Sequence, residues 1–376
     1  MKTNNKTLTL ITIFFITFIS MLQLIIPDRT FSEEENRMLQ KKPSFSLGKL
    51  ISGEFTSEYE NYIGDQFPFR EFWVSTKSAC ELILQKKDNN NVYFGKESYL
   101  LQKPSNPDTG LFDKNILAIN QFAQAVSPIP VYFLLAPNSV HVLTDKLPPF
   151  ATAIDASMIM EKTNNRVSPI VRLIDVCKPL TEHKQEYIYY KTDHHWTTTG
   201  AYYAYKEAGK AMGFATLDTN DFTIEQVSDN FYGTLYSKSG QHFVSPDSIH
   251  LFKPKTEVKY KVEYVDKGII TRNMYESKYL QKKDQYSIFL DGNHSLIKIT
   301  TKAETDRKLL VIKDSYANSF IPFLINNFAE IHLMDMRYYN ADVLQYVEQN
   351  EFSDILFLYN TITFSEDKSL NKIVLY

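Results

Sequence analysis

Three nearly unbroken apolar runs constrain this chain most: Pro130-Val-Tyr-Phe-Leu-Leu135, Lys308-Leu-Leu-Val-Ile312 and Asp354-Ile-Leu-Phe-Leu-Tyr359. A strand with one wet face alternates apolar and polar residues, so a run without alternation needs apolar cover on both sides. Further strands are read at 171–176 and 330–334. Helices are read at 116–126, 198–212 with Gly213 as C-cap, 317–328 and 341–350. Strands alternating with helices imply α/β architecture, a doubly wound, mainly parallel sheet with helices on both faces. Ligands on such sheets bind beyond the carboxyl ends of the strands, so the chemistry is sought there. Residues 220–305 break the rhythm with short alternating segments at 258–265 and 286–290 and a turn at Asp291-Gly-Asn-His294, and read as a β-rich insertion. A hairpin is expected where Asn91-Val-Tyr-Phe-Gly95 meets Ser98-Tyr-Leu-Leu101.

The N-terminus carries a different signal. Lys2 and Lys6 precede nineteen uncharged residues, 8–26, which Asp28 and Arg29 close. At about 1.5 Å rise per residue this run spans a hydrocarbon core of about 30 Å. Positive charge ahead of it places the N-terminus in the cytoplasm and the remainder outside. No small-residue cleavage pattern ends the run, which favours an uncleaved signal-anchor over a cleaved signal peptide. The expected organisation is a cytoplasmic stub and transmembrane anchor at 1–28, an extracellular stalk or helical region at 29–88, and the main domain at 89–376. Within the stalk, Ser32-Glu-Glu-Glu-Asn-Arg37 starts like a capped helix, and residues 55–63 are amphipathic ahead of Asp65-Gln-Phe-Pro-Phe-Arg70.

Composition narrows the function classes. A net charge of −3, with no basic run beyond short patches such as 253–261, argues against a nucleic-acid groove. Two cysteines, Cys80 and Cys177, are too few for a disulfide framework, and their pairing is left open. The 24 Tyr and 26 Phe suit a β-rich core first and a sugar-stacking surface second.

Reactive residues follow the strand ends. Lys313-Asp-Ser-Tyr316 comes after the 308–312 run and just before a helix, whose first N–H groups can face an oxyanion. Thr192-Asp-His-His-Trp196 opens the 198–212 helix, and Asn360 ends the last run. A serine nucleophile needs a base within hydrogen-bond reach and a carboxylate to hold that base. Ser315, one histidine of the pair His194 and His195, and Asp193 supply these parts. Taken singly the signals are weak: a serine at a helix start is usually a cap, and an asparagine at a strand end usually a turn residue.

Together the segments resemble the DHHW proteins, relatives of the SGNH-like alginate O-acetyltransferases. The resemblance rests on Thr192-Asp-His-His-Trp-Thr-Thr-Thr-Gly-Ala201, Phe31-Ser-Glu-Glu-Glu-Asn-Arg37, Asp65-Gln-Phe-Pro-Phe-Arg70, Phe231-Tyr-Gly-Thr-Leu-Tyr236, Asp291-Gly-Asn-His294, Lys313-Asp-Ser-Tyr316 and Asp335-Met-Arg337. It implies a circularly permuted SGNH-like, flavodoxin-like sheet, with Asp193 as orienting acid, His195 as base and Ser315 as nucleophile. Asn360 would donate to the oxyanion. Here Lys313-Asp-Ser replaces the usual Gly-Asp-Ser, and Asp335-Met-Arg337 stands where the family carries an oxyanion glycine. Gly292 and Asn293 are candidates to replace that donor, and Arg337, Trp196, His194 and Tyr316 to line the substrate site. Trp196 reads most simply as a core anchor.

The implied activity is acyl transfer to, or removal from, a cell-surface glycan, with no cofactor, metal or nucleic acid. A multipass membrane acyltransferase is an expected donor partner. Two other classes compete. Asp193-His-His195 also spells the DHH of manganese phosphoesterases, but the other histidines (141, 183, 242, 250, 294 and 332) lack ligand spacing. The other alternative is a degenerate SGNH-like domain that binds glycan or scaffolds a surface-polysaccharide complex.

Overall fold

A computed structural model describes residues 2–32, 37–104, 110–152, 154–241, 243–256 and 258–374. The chain divides into two compact units, Met1–Lys86 with Gly240–His242, and Lys87–Ser239 with Phe243–Tyr376.

The first unit begins with a helix, Lys2–Ile25, that is long and apolar enough over Lys6–Ile25 to cross a membrane. Helices Leu47–Ile51, Glu54–Asp65 and Arg70–Ile83 follow. Two of the quoted segments meet here. The Arg37 guanidinium donates to both Asp65 carboxylate oxygens, at 2.9 and 2.5 Å, and the Gln40 N–H adds a third donor at 2.8 Å. Hydrogen bonding from Arg37 holds the Asp65 carboxyl below its ordinary range despite burial. The capped-helix reading of 32–37 falls largely on residues 33–36, outside the described residues. Their flanks, Phe31–Ser32 and Arg37–Met38, pair antiparallel.

The second unit is built on one eight-stranded sheet. Its order is Ile269–Thr271, Tyr260–Tyr264, Leu296–Thr301, Glu330–Met334, Lys308–Lys313, Asp354–Asn360, Val131–Ala136 and Val171–Ile174. The last five strands run parallel, and the first three join antiparallel at the Glu330–Met334 edge. The apolar runs lie at its centre because both faces are covered. On Lys308–Lys313, Leu309 and Val311 enter one core, shared with Trp196, Tyr205 and Phe320. Leu310 and Ile312 enter the other, shared with Phe122, Phe357 and Met334. Burying side chains of this size stabilises by about 1.5–3 kcal/mol each, which fixes these strands in the middle.

Several elements differ from the sequence reading. Of the 220–305 region, Tyr260–Tyr264, Ile269–Thr271 and Leu296–Thr301 continue the main sheet. They cover an edge that would otherwise present unpaired backbone groups. Among the described residues of this region, Phe222–Phe231 and Asp247–Pro254 form a separate antiparallel ribbon. The segment 286–290 is not a strand: Gln285–Ile288 is a 3₁₀ turn with Tyr286 and Ile288 buried. The 317–328 helix is α-helical only over Ala317–Phe320 and continues as 3₁₀ over Ile321–Asn326, where Pro322 supplies no N–H. The 171–176 strand stops at Ile174, because the Asp175 carboxylate accepts from the Cys177 N–H at 2.9 Å and opens a helix. Cys80 and Cys177 are both free thiols.

Candidate active site

Ser315 follows the carboxyl end of Lys308–Lys313, beside Asn360 at the carboxyl end of the neighbouring parallel strand. Lys308–Lys313 ends in Asp314, whose buried carboxylate accepts from Tyr316 N–H (2.8 Å), Asn360 N–H (2.8 Å) and Asn360 Nδ2 (2.6 Å). Burial pushes the Asp314 carboxyl up, and these donors only partly offset it. Asp314 thus ties the turn after one strand to the end of its neighbour, and Ser315 emerges half-buried from that turn. Ser315 N–H has no hydrogen-bond partner among the described residues.

The second contributor is the loop 191–197 before the helix Thr198–Met212. Asp247 braces its start by accepting from the N–H groups of Lys191 and Thr192, both at 2.7 Å, and from the Thr192 hydroxyl. Asp193 comes next, and both of its oxygens are used. Oδ1 receives His195 Nδ1 at 2.5 Å and His195 N–H at 3.0 Å. Oδ2 receives Thr234 N–H at 2.8 Å and the Thr234 hydroxyl at 3.0 Å. Burial alone would raise this carboxyl, but the two imidazoles and the Thr234 N–H outweigh it and hold Asp193 far below the usual range. An acceptor at Nδ1 places the imidazole proton there, so Nε2 is free to accept. Nε2 lies 2.7 Å from Ser315 Oγ. Hydroxyl, imidazole and carboxylate therefore stand in hydrogen-bond sequence.

Aromatic packing restricts the base. Tyr286 stacks on the His195 ring at 3.7 Å and 12°, and its hydroxyl donates to Ser315 O and Ser319 Oγ, each at 3.1 Å. The Trp196 indole N–H donates to Tyr316 O at 3.0 Å and Ser319 Oγ at 3.1 Å. Tyr286, Thr234, Gly233 and Asp247 join the site in addition to the residues the sequence points to. Gly233 and Thr234 lie in the quoted Phe231–Tyr236 segment, whereas Tyr286 and Asp247 reach the site through tertiary packing and have no spacing along the chain to mark them.

The other candidates divide by access. Trp196 and Tyr316 are fully buried, so neither offers a face to a sugar; the Tyr316 hydroxyl is spent on His194 O. His194 keeps partial exposure and bonds through Nδ1 to Thr234 Oγ1 at 2.7 Å; burial and the neighbouring His195 push it down to about 3. Both Nδ2 hydrogens of Asn360 are committed, to Asp314 and to Thr363 Oγ1 at 2.7 Å, so its amide is not directed to an oxyanion in this structure. Arg337 chelates Asp335 through Nε and Nη2, at 2.9 and 2.6 Å, and remains 32% exposed. Asn293 is exposed and Gly292 buried with φ +86°.

Asp193, His194 and His195 also place potential metal-ligand atoms within 4.8 Å of one another. The donor set fits an ion poorly. Both His195 nitrogens and both Asp193 oxygens already face protein partners, so coordination would first have to break the Ser315 and Thr234 contacts.

A family model described as DHHW protein matches residues 88–334. No curated protein matches the chain. Among solved structures, a DHHW family protein from Eubacterium siraeum superposes with a TM-score of 0.67 at 23% identity, over 76% of this chain and 95% of its own. Bacillus cereus PatB1 superposes at 0.64 and 22% identity, over 75% of this chain and 99% of its own. PatB1 with a sulfonyl adduct gives 0.61 and 22%, over 74% and 98%. At these identities the likeness speaks for the fold. The family match covers well over half of the sequence and includes the Asp193-His-His-Trp196 segment for which such proteins are named: the chain belongs to the DHHW family.

Proposed function

We propose that this protein is a membrane-anchored, extracytoplasmic acyl-transfer enzyme. It would act on ester groups of a cell-surface polysaccharide as an O-acetyltransferase or esterase, through Ser315, His195 and Asp193. The observation that carries the reading is the 2.7 Å contact of Ser315 Oγ with His195 Nε2, on an imidazole whose other nitrogen is held by Asp193. In the first half-reaction Ser315 Oγ bonds to the acyl carbon while His195 takes the hydroxyl proton. The C–O bond to the leaving alcohol then breaks, and that oxygen recovers the proton from His195. In the second half a glycan hydroxyl, or water, repeats the sequence and frees Ser315. The choice between glycan and water sets transferase against esterase. The unengaged Ser315 N–H supports one oxyanion contact, and Arg337 stands exposed nearby for substrate.

The strand order supports a circular permutation. Counting from Lys308–Lys313 to the last strand and then from Val131–Ala136, the parallel strands read 2-1-3-4-5, the flavodoxin-like order. On this reading Ser315 and Asn360 flank the switch point, where such sheets bind ligands. The Lys6–Ile25 helix supports anchorage; a main domain outside the membrane and a multipass membrane acyltransferase as acyl donor complete the proposal. One observation favours the second reading, a degenerate glycan-binding or scaffold domain: the Asn360 amide is committed within the protein.

The full-length protein in detergent micelles, given p-nitrophenyl acetate with and without oligosaccharide acceptors, distinguishes the two. The enzyme reading expects Ser315-dependent p-nitrophenol release, with acetyl on the glycan or in acetate. Turnover that survives Ser315→Ala, or none from the folded wild type, removes it.

A further inference from the structure

Lys313 is fully buried two residues before Ser315. A buried lysine costs several kcal/mol unless its donors find partners, so its surroundings are informative. Nζ donates to Asn318 Oδ1 at 2.7 Å and Asn293 Oδ1 at 3.0 Å, with Asp335 at 3.9 Å. Asn318 Nδ2 in turn donates to Gly292 O at 3.2 Å and Asn293 Oδ1 at 3.3 Å, while Asn318 N–H donates to Ser315 O at 3.2 Å. Two buried donors thus converge on the Asn293 carbonyl oxygen. With its oxygen taken on an otherwise exposed residue, the Asn293 amide keeps its Nδ2 hydrogens, which have no partner among the described residues.

We infer that Lys313 is a positioning residue that, with Asn318, orients Asn293 so that its side-chain amide serves as the second oxyanion donor beside the Ser315 N–H. This rests on the Ser315 reading above and deepens it. The Asn360 amide, committed to Asp314 and Thr363, leaves that role open. The ammonium is itself responsive. Burial pushes Lys313 down to about 8, with Asp335 and Asp314 favouring the cation and Arg337 opposing it. The charge is present below that pH and lost as pH rises through it.

The test is a kinetic cycle on full-length protein with p-nitrophenyl acetate, using Asn293→Ala, Lys313→Met and the double variant. Removing one oxyanion donor lowers kcat by about 10²–10³-fold. Asn293→Ala, a change at an exposed side chain, is expected to do this with KM within about threefold. Lys313→Met is expected to produce a similar kcat loss, and the double variant little more than either single one, as coupled residues do. The wild-type profile should decline above pH 8, and that limb should vanish in Lys313→Met. If Lys313→Met does not fold, Asn318→Ala takes its place in the cycle. Unchanged kcat in Asn293→Ala, or additive losses in the double variant, overturn the inference while leaving Ser315 in place. A wild type without Ser315-dependent turnover removes both.

Discussion

Gly233→Ala should damage catalysis without replacing any of the three residues proposed to carry it. A Cβ at position 233 would lie 2.2 Å from Asp193 Cβ, 2.4 Å from its Oδ2 and 2.7 Å from its Cγ. Carbon atoms settle at about 3.5–4.0 Å, so the Asp193 side chain must retreat by about 1 Å or more. It cannot do so and keep the Thr234 N–H at 2.8 Å and His195 Nδ1 at 2.5 Å together. A 1 Å misplacement costs on the order of 10²-fold, and losing the orienting acid altogether about 10⁴-fold. The expected fall in kcat/KM therefore lies between about 10² and 10⁴, or about 2.7–5.4 kcal/mol of transition-state stabilisation. Overpacking should cost about 1–3 kcal/mol of folding stability, leaving a folded protein to assay. Steady-state hydrolysis of p-nitrophenyl acetate, beside a thermal melt, reads both quantities. A variant that folds and keeps kcat/KM within about threefold of wild type would refute the claim that Asp193 must be held where it is.

Asp193→Asn should lower kcat by about 10⁴-fold. Each of its oxygens accepts a backbone N–H, so either amide orientation sets donor against donor; a stopped assay at matched protein concentration measures this. Trp196→Phe should cost about 1–3 kcal/mol in a denaturant titration, because Tyr316 O and Ser319 Oγ lose a fully buried donor. Deleting residues 1–28 should move the protein from the membrane pellet to the supernatant on fractionation; a deletion protein that stays in the pellet contradicts the anchor.

The centre of the fold was legible because the runs at 130–135, 308–312 and 354–359 lack alternation, and only burial on both faces explains that. The helix Thr198–Met212 was legible to the residue, since Gly213 with φ +71° is the C-cap its position suggests. Less legible were strands such as Tyr260–Tyr264. Their alternation says that one face is buried but not which sheet they join, and here they extend the main sheet. Tyr286 was obscured for a related reason: a short aromatic stretch suits a strand and a 3₁₀ turn equally, and only its stacking on His195 reveals its place. Around Ser315, the strand-end rule directed attention to positions 193, 315 and 360 and to the pair 194 and 195, between which only the family resemblance chose. What Asn360 does there depends on Asp314, a partner 46 residues away whose carboxylate takes the amide. Hydrogen-bond competition of that kind belongs to the folded state and leaves no periodic trace in a sequence.

The most direct test of the central claim is to treat the full-length protein in detergent with a fluorophosphonate serine probe and locate the adduct by peptide mass spectrometry. One stoichiometric adduct on Ser315 is expected, absent from Ser315→Ala and strongly slowed in Asp193→Asn. No adduct on the folded wild type, or one on a different residue that persists in Ser315→Ala, would contradict it.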